Sequence, residues 1–357
     1  MEERKVEKKN FDFVDTIRCI SMVGIVFEHS GAIDAGSYTS VLDTAVENSL
    51  IQSFKFCTIA FFLIGGFLIN HKFQEYSAGQ YLKNRFRSTI KPWLFWLFVY
   101  IAWFVIEKTV VYLRGFNTDI ADHFFDLVGE KIVFGLFYTP SWFVLNFLIC
   151  ICVLLIFKKH LYSWWVGLLL AACSLTYSLN VYHEWFVSNH STALLGFVFY
   201  LWLGVVLNKY FDLVMGYIRK ISWPLMIVSV VLLFVLAVLE SFKLKELGIK
   251  DAYNTLRITN IFYSFGVFAL LLKIGKLDFL QRKLEPRKTT FGIYLVHFIV
   301  IVRFLPMIFQ PLKLDYASYS VWTNSGIHIL RFFLVYGISF GVVKILQQTR
   351  LKWMVGN

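Results

Sequence analysis

At 357 residues, 58% hydrophobic and only 16% charged, with a mean hydropathy of +0.63, the chain is too apolar for a soluble domain. Its apolar runs are long and continuous, without two-residue alternation, which excludes a β-barrel and predicts an all-α polytopic membrane protein of about ten transmembrane helices. The formal charge of +12 follows from loop topology, as shown below, and argues against a nucleic-acid partner.

The stretch Met1–Asn10 is charged and lacks a small-residue cleavage site, so no removable signal peptide is expected. The first apolar span, Phe13 to about Ser30, carries charges where a membrane helix usually has none: Asp15, Arg18, Glu28 and His29. Arg18 and His29 are eleven positions apart, about 20° past three full turns, so they share one helix face, separated by roughly 16 Å of rise. Snorkelling to an interface accounts for Asp12 and Asp15 as well as any function does. The shared face of Arg18 and His29 is harder to explain that way, because each intramembrane charge costs roughly 2.5–3.5 kcal/mol and marks a functional site. Glu28 points about 100° away from His29.

The second span, Ser53–Asn70, contains Gly65-Gly66, a place for close approach of a ligand or of another backbone. Arg85, Arg87 and Lys91 crowd the loop before Pro92 and the third span, Trp93–Val111. Arginine forks match phosphate oxygens, although anionic lipid would satisfy such a loop equally. The amphipathic stretch Asp119–Phe137 reads as a short interfacial or re-entrant helix. Trp142 opens the fourth span, Trp142–Phe157, at the level of an interfacial aromatic belt. Four further spans follow over Ser163–Asn180, Thr192–Leu207, Pro224–Glu240 and Ile258–Leu272, then the basic loop Lys273–Lys288. The ninth span, Phe291–Phe309, holds His297 about two turns in and Arg303 some 9 Å beyond it; the tenth, Gly326–Ile345, holds Arg331. The five cysteines all lie in apolar spans and read as packing residues.

With the N-terminus inside, alternate segments hold 23 Lys and Arg against nine in the outer loops, Lys55 and Arg257 among the nine, which predicts both termini in the cytoplasm. Asp34, Asp43, Glu47, Asp119, Asp122, Asp126 and Glu130 gather outside. No long hydrophilic segment appears, so residues 1–357 read as one transmembrane domain. Its short basic termini, about 1–11 and 347–357, carry no fused soluble domain. There is no metal-ligand spacing, Walker loop or G-x-S-x-G elbow.

Taken together, the chain resembles the acyltransferase 3 family of integral-membrane acyltransferases. The resemblance rests on Asp15-Thr16-Ile17-Arg18 with His29 after ten intervening residues, Phe61-Phe62-Leu63-Ile64-Gly65-Gly66-Phe67 and Arg85-Phe86-Arg87 before Pro92. Pro140-Ser141-Trp142-Phe143 and Gly292-Ile293-Tyr294-Leu295-Val296-His297 complete it, in the family's order. Two departures stand out: Gly65 replaces the family's usual Ser, and Arg85 and Arg87 flank one residue instead of two.

The resemblance implies a membrane-bound O-acyltransferase of the cell (inner) membrane. It would move an acyl group, usually acetyl, from cytoplasmic acetyl-CoA to a hydroxyl of an extracytoplasmic or lipid-linked polysaccharide, without a metal. His29 would be the general base, with Arg18 towards the CoA end of the same face and Glu28 completing the catalytic set. Arg85, Arg87 and Lys91 would hold CoA phosphates, and Trp142, His297 and Arg303 the acceptor. No oligomeric state follows. A transporter or flippase would use the same charged face and basic loops without covalent chemistry. A structural subunit of a polysaccharide-synthesis complex is the third reading.

Overall fold

In hydrocarbon every backbone N–H and C=O has to find its partner within the chain, and helices do this segment by segment. The computed structural model describes residues 11–31, 38, 40–115, 123–187 and 190–356, and all regular structure among them is helical. Arg4, Lys5, Lys8, Lys9, Asp34, Asp119 and Asp122, used above for orientation, lie outside the described residues.

Sixteen α-helices follow in order. Helix α1 spans Asp12–His29, α2 Val41–Phe54 and α3 Cys57–Glu75; α4 (Ala78–Arg85) runs through a π-turn at Phe86–Ile90 into α5 (Lys91–Leu113). Next come α6 (Phe124–Phe137), α7 (Ser141–Ile156), α8 (Trp164–His183), α9 (Val198–Lys209), α10 (Phe211–Lys220) and α11 (Trp223–Glu246). The chain continues with α12 (Ile258–Ile274), α13 (Asp278–Leu284) and α14 (Pro286–Ile299), then a second π-turn at Val300–Phe304, α15 (Leu305–Phe309) and α16 (Val321–Gln347).

The ten apolar segments of the sequence fall on α1, α3, α5, α7, α8, α9, α11, α12, α14–α15 and α16. Among the described residues six helical stretches are long and apolar enough to cross a membrane, and up to nine qualify when three bent pairs count as one span each: α6 with α7 at 63°, α9 with α10 at 89° and α12 with α13 at 95°. Helix α1 falls outside that measure because Asp12, Asp15, Arg18 and Glu28 load its 18 residues. The expected interfacial stretch is helical from Phe124 to Phe137 and turns sharply into α7.

Helix α1 is the hub, packed by α3, α12, α14 and α16. Two cations that the loop count places outside are buried, one against α1 and one between α2 and α11. Lys55, at the break between α2 and α3, pairs with Glu28. Arg257, fully buried before α12, donates to Gln52 Oε1 at 2.6 Å and to the Ala237 carbonyl at 2.7 Å, with Glu240 3.5 Å away. Burying a guanidinium is tolerable only with such complete bonding.

The Gly65-Gly66 pair divides its work. Gly66 and Gly204 let α3 and α9 meet backbone to backbone: a Cβ on Gly66 would lie 1.9 Å from the Leu201 carbonyl oxygen, and one on Gly204 2.1 Å from that of Leu63. Gly66→Ala should therefore destabilise the protein by about 1–3 kcal/mol, because backbone cannot step aside as a side chain can. Gly79→Ala, in α4 where a Cβ meets open space, should leave thermal unfolding of the detergent-solubilised chain unchanged or slightly raised.

Candidate active site

His29 closes α1, and its ring stacks on that of His297 of α14, with 5.3 Å between centroids and 9° between planes. Carbonyl oxygens only accept, so the bonds from His297 Nδ1 to the carbonyls of Tyr294 (2.7 Å) and Ile293 (3.3 Å) place a proton on that nitrogen. In the neutral imidazole Nε2 then accepts, and His29 Nδ1–H donates to it at 3.0 Å. By the same logic the lone pair of a neutral His29 sits on its Nε2. A fully buried side chain on one helix thus selects the tautomer of a histidine on another.

The end of α1 that carries this histidine is clamped by α16. His328 Nε2 donates to the Phe27 carbonyl at 2.6 Å, and Arg331 donates to the carbonyls of Ser30 (2.8 Å) and Gly31 (3.0 Å). These cap carbonyls at and just past the end of the helix, and Arg331 puts a cation at its negative end. His29 opens on a cavity of about 480 Å³ whose wall includes Thr139, Pro140, Trp142, Ser191, Lys250 and Asp251.

At the other end of α1 a second cavity, of about 410 Å³, is lined by four cations: Arg18, Lys72, Arg85 and Arg287. Buried Asp15 holds two of them, Arg18 at 3.1 Å and Arg287 at 2.6 Å, and Tyr81 accepts from Arg85 at 2.7 Å. The hydroxyls of Ser88, Thr89 and Thr290 join them, and Phe61, Phe143, Phe147 and Phe291 make the inner wall apolar. Beside Arg287, Glu285 accepts from Lys344 at 2.5 Å and Lys288 at 3.0 Å, and those bonds hold its carboxyl below the ordinary range. Tyr294 lines this cavity while Pro140 lines the other, and the tyrosine hydroxyl donates to the Pro140 carbonyl. That contact stands between the two spaces.

The family model described as acyltransferase domain, of the acyltransferase 3 type, matches residues 11–346, nearly the whole chain. The chain belongs to the acyltransferase 3 family. Comparison with curated proteins and with solved structures returns no match. The protein is a membrane acyltransferase.

Four of the expected site residues line the two cavities and the other five lie around them. Arg18 and Arg85 share the cationic cavity of this acyltransferase, while Trp142 shares the other with His29. His297 stands behind His29, bonded to it. Glu28 turns to Lys55. Arg87 is exposed outside the cationic cavity, and Lys91 lies over the Trp353 ring at 4.4 Å. Arg303 pairs with Glu107 and sits over Trp103, on neither cavity. Gly65 faces the cationic cavity, and a Cβ there would lie 2.6 Å from the Phe147 ring.

Lys72 and Arg287 went unseen among ordinary loop cations, as did the role of Tyr294 inside its motif. Among the described residues no group of three or more His, Cys, Asp or Glu could hold a metal ion. Removing the carboxylate that gathers the arginines should be costly: Asp15→Asn should lower stability by about 1–3 kcal/mol, read as an earlier thermal unfolding transition of the purified chain.

Proposed function

We propose that this acyltransferase moves an acetyl group from cytoplasmic acetyl-CoA to a hydroxyl of an extracytoplasmic or lipid-linked polysaccharide. The carrying observation is that α1 presents His29, bonded from behind by His297 of α14, to a cavity at one end, and Arg18 to a four-cation cavity at the other. Guanidinium and ammonium groups with hydroxyls around them suit the phosphates of CoA, and the aromatic inner wall suits its pantetheine arm. The roughly 16 Å of rise from Arg18 to His29 is a distance for an extended arm to span, with the thioester leading towards Tyr294 and Pro140.

The chemistry assigned to His29 needs no further group. Its Nε2 takes the proton of the acceptor hydroxyl as that oxygen attacks the thioester carbonyl. The new C–O bond forms, the C–S bond breaks, and the departing CoA sulfur receives the proton from the imidazolium. His297 accepts the Nδ1–H of His29, which keeps the lone pair on the reacting nitrogen and the ring in place. Trp142 offers an aromatic face to the acceptor sugar. In this reading the Arg18 end faces the cytoplasm, as the excess of Lys and Arg in those loops favours, with both termini inside and the protein in the cell membrane.

His29→Ala should lower transfer of radiolabel from acetyl-CoA to acceptor by about 10²–10⁴-fold with little change in donor binding. His297→Ala, which leaves the base unanchored, should lower kcat by about 10²-fold. Neutralising Arg18 and Arg85 should instead raise KM for acetyl-CoA. Full transfer by His29→Ala would refute the base, and glycan movement without label transfer would establish a transporter in place of an enzyme.

A further inference from the structure

On the His29 side a third cavity, of about 350 Å³, adjoins the histidine cavity, and Ile301 of the second π-turn lines both. Its wall is apolar at Leu305, Pro306 and Phe309 and cationic at Lys313 and Arg331. Arg331 spends two of its N–H groups on the carbonyls that end α1, and its flat face lies 5.4 Å over the Phe309 ring. Among the described residues neither Lys313, Arg331 nor Lys250 of the histidine cavity forms an ion pair. Across both cavities these three cations face a single lining carboxylate, Asp251.

We propose that the acceptor is acidic: a carboxylate or phosphate of the glycan sits between Lys313 and Arg331 while a neighbouring hydroxyl of the same molecule lies at His29. This rests on the acyl-transfer reading and names the substrate class for it. An ammonium and a guanidinium, unmatched by acid and backed by hydrocarbon, bind an anion far better than a neutral sugar. The excess positive charge of the paired cavities also draws anionic chains towards the histidine. The shared Ile301 wall puts both points within reach of one oligosaccharide.

Lys313 is the group to change, since it is exposed whereas Arg331 also holds the helix end under His29. The full chain in phosphatidylcholine nanodiscs is given acetyl-CoA with a glucuronate-containing tetrasaccharide or its carboxyl-reduced, neutral counterpart. The acidic sugar should be the better substrate. Lys313→Glu should raise its KM roughly tenfold, and Lys313→Gln by less, with kcat, KM for acetyl-CoA and the neutral sugar unaffected. Equal kcat/KM for the two sugars and indifference to Lys313→Glu would overturn the proposal. So would a Lys313 effect that is the same for both sugars and appears only when phosphatidylglycerol is added, which would assign the cavity to a lipid headgroup. Binding measured without acetyl-CoA keeps the two claims apart. Salt-sensitive binding of the acidic sugar alone, without any transfer, defeats the acyl-transfer reading and leaves the anion site standing; transfer with equal affinity for both sugars defeats the anion site alone.

Discussion

A charged helix can stand at the centre of a membrane bundle only if its neighbours answer its charges, and the rest of this structure follows from that constraint. Asp12 is met by Lys276 at 3.6 Å, Asp15 by Arg18 and Arg287, Glu28 by Lys55 and His29 by His297. The answering groups come from the link between α12 and α13, from α14, and from the break between α2 and α3. The carbonyls at the end of α1 are answered from α16. Every partner except Arg18, which lies on α1 itself, ties a neighbouring element to α1, so satisfying the charges also holds the bundle together.

The same constraint separates the two ends of the site. Near Arg18 a single carboxylate, Asp15, holds two arginines, and two more cations line the same space, so the cavity stays positive even after pairing. Near His29 the balance is subtler, since the histidines bond to each other and the cations stand further out on Lys250, Lys313 and Arg331. Between them the wall is aromatic, closed by Tyr294 against Pro140. Two chambers with such a partition between them suit the proposed transfer between a donor and an acceptor held apart.

Small residues matter here through what they admit. Gly66 and Gly204 bring α3 and α9 into backbone contact, which fixes the wall that Gly65 then presents to the cationic cavity. Phe147 fills the space beside Gly65. The two π-turns, at Phe86–Ile90 and Val300–Phe304, each lie on a cavity wall and re-aim the residues that follow them.

Much of this was legible along the chain. Long apolar runs determine helices because unbonded backbone is intolerable in lipid, and the eleven-residue spacing of Arg18 and His29 determines a common face by helical geometry alone. The order of motifs was enough to indicate the family. What one dimension does not carry is which distant groups meet. The pairing of His29 with His297, 268 residues away, depends on α14 packing against α1. Lys55 and Arg257 look like loop cations in the sequence and become buried partners only when α2, α11 and α12 close around them. Likewise nothing in the spacing of Arg85, Arg87 and Lys91 separates the one that lines the cavity from the two that do not, because a turn's direction depends on the helices it joins. Local sequence sets what each helix is; burial, summed over neighbours far apart in the chain, sets which charges share a space.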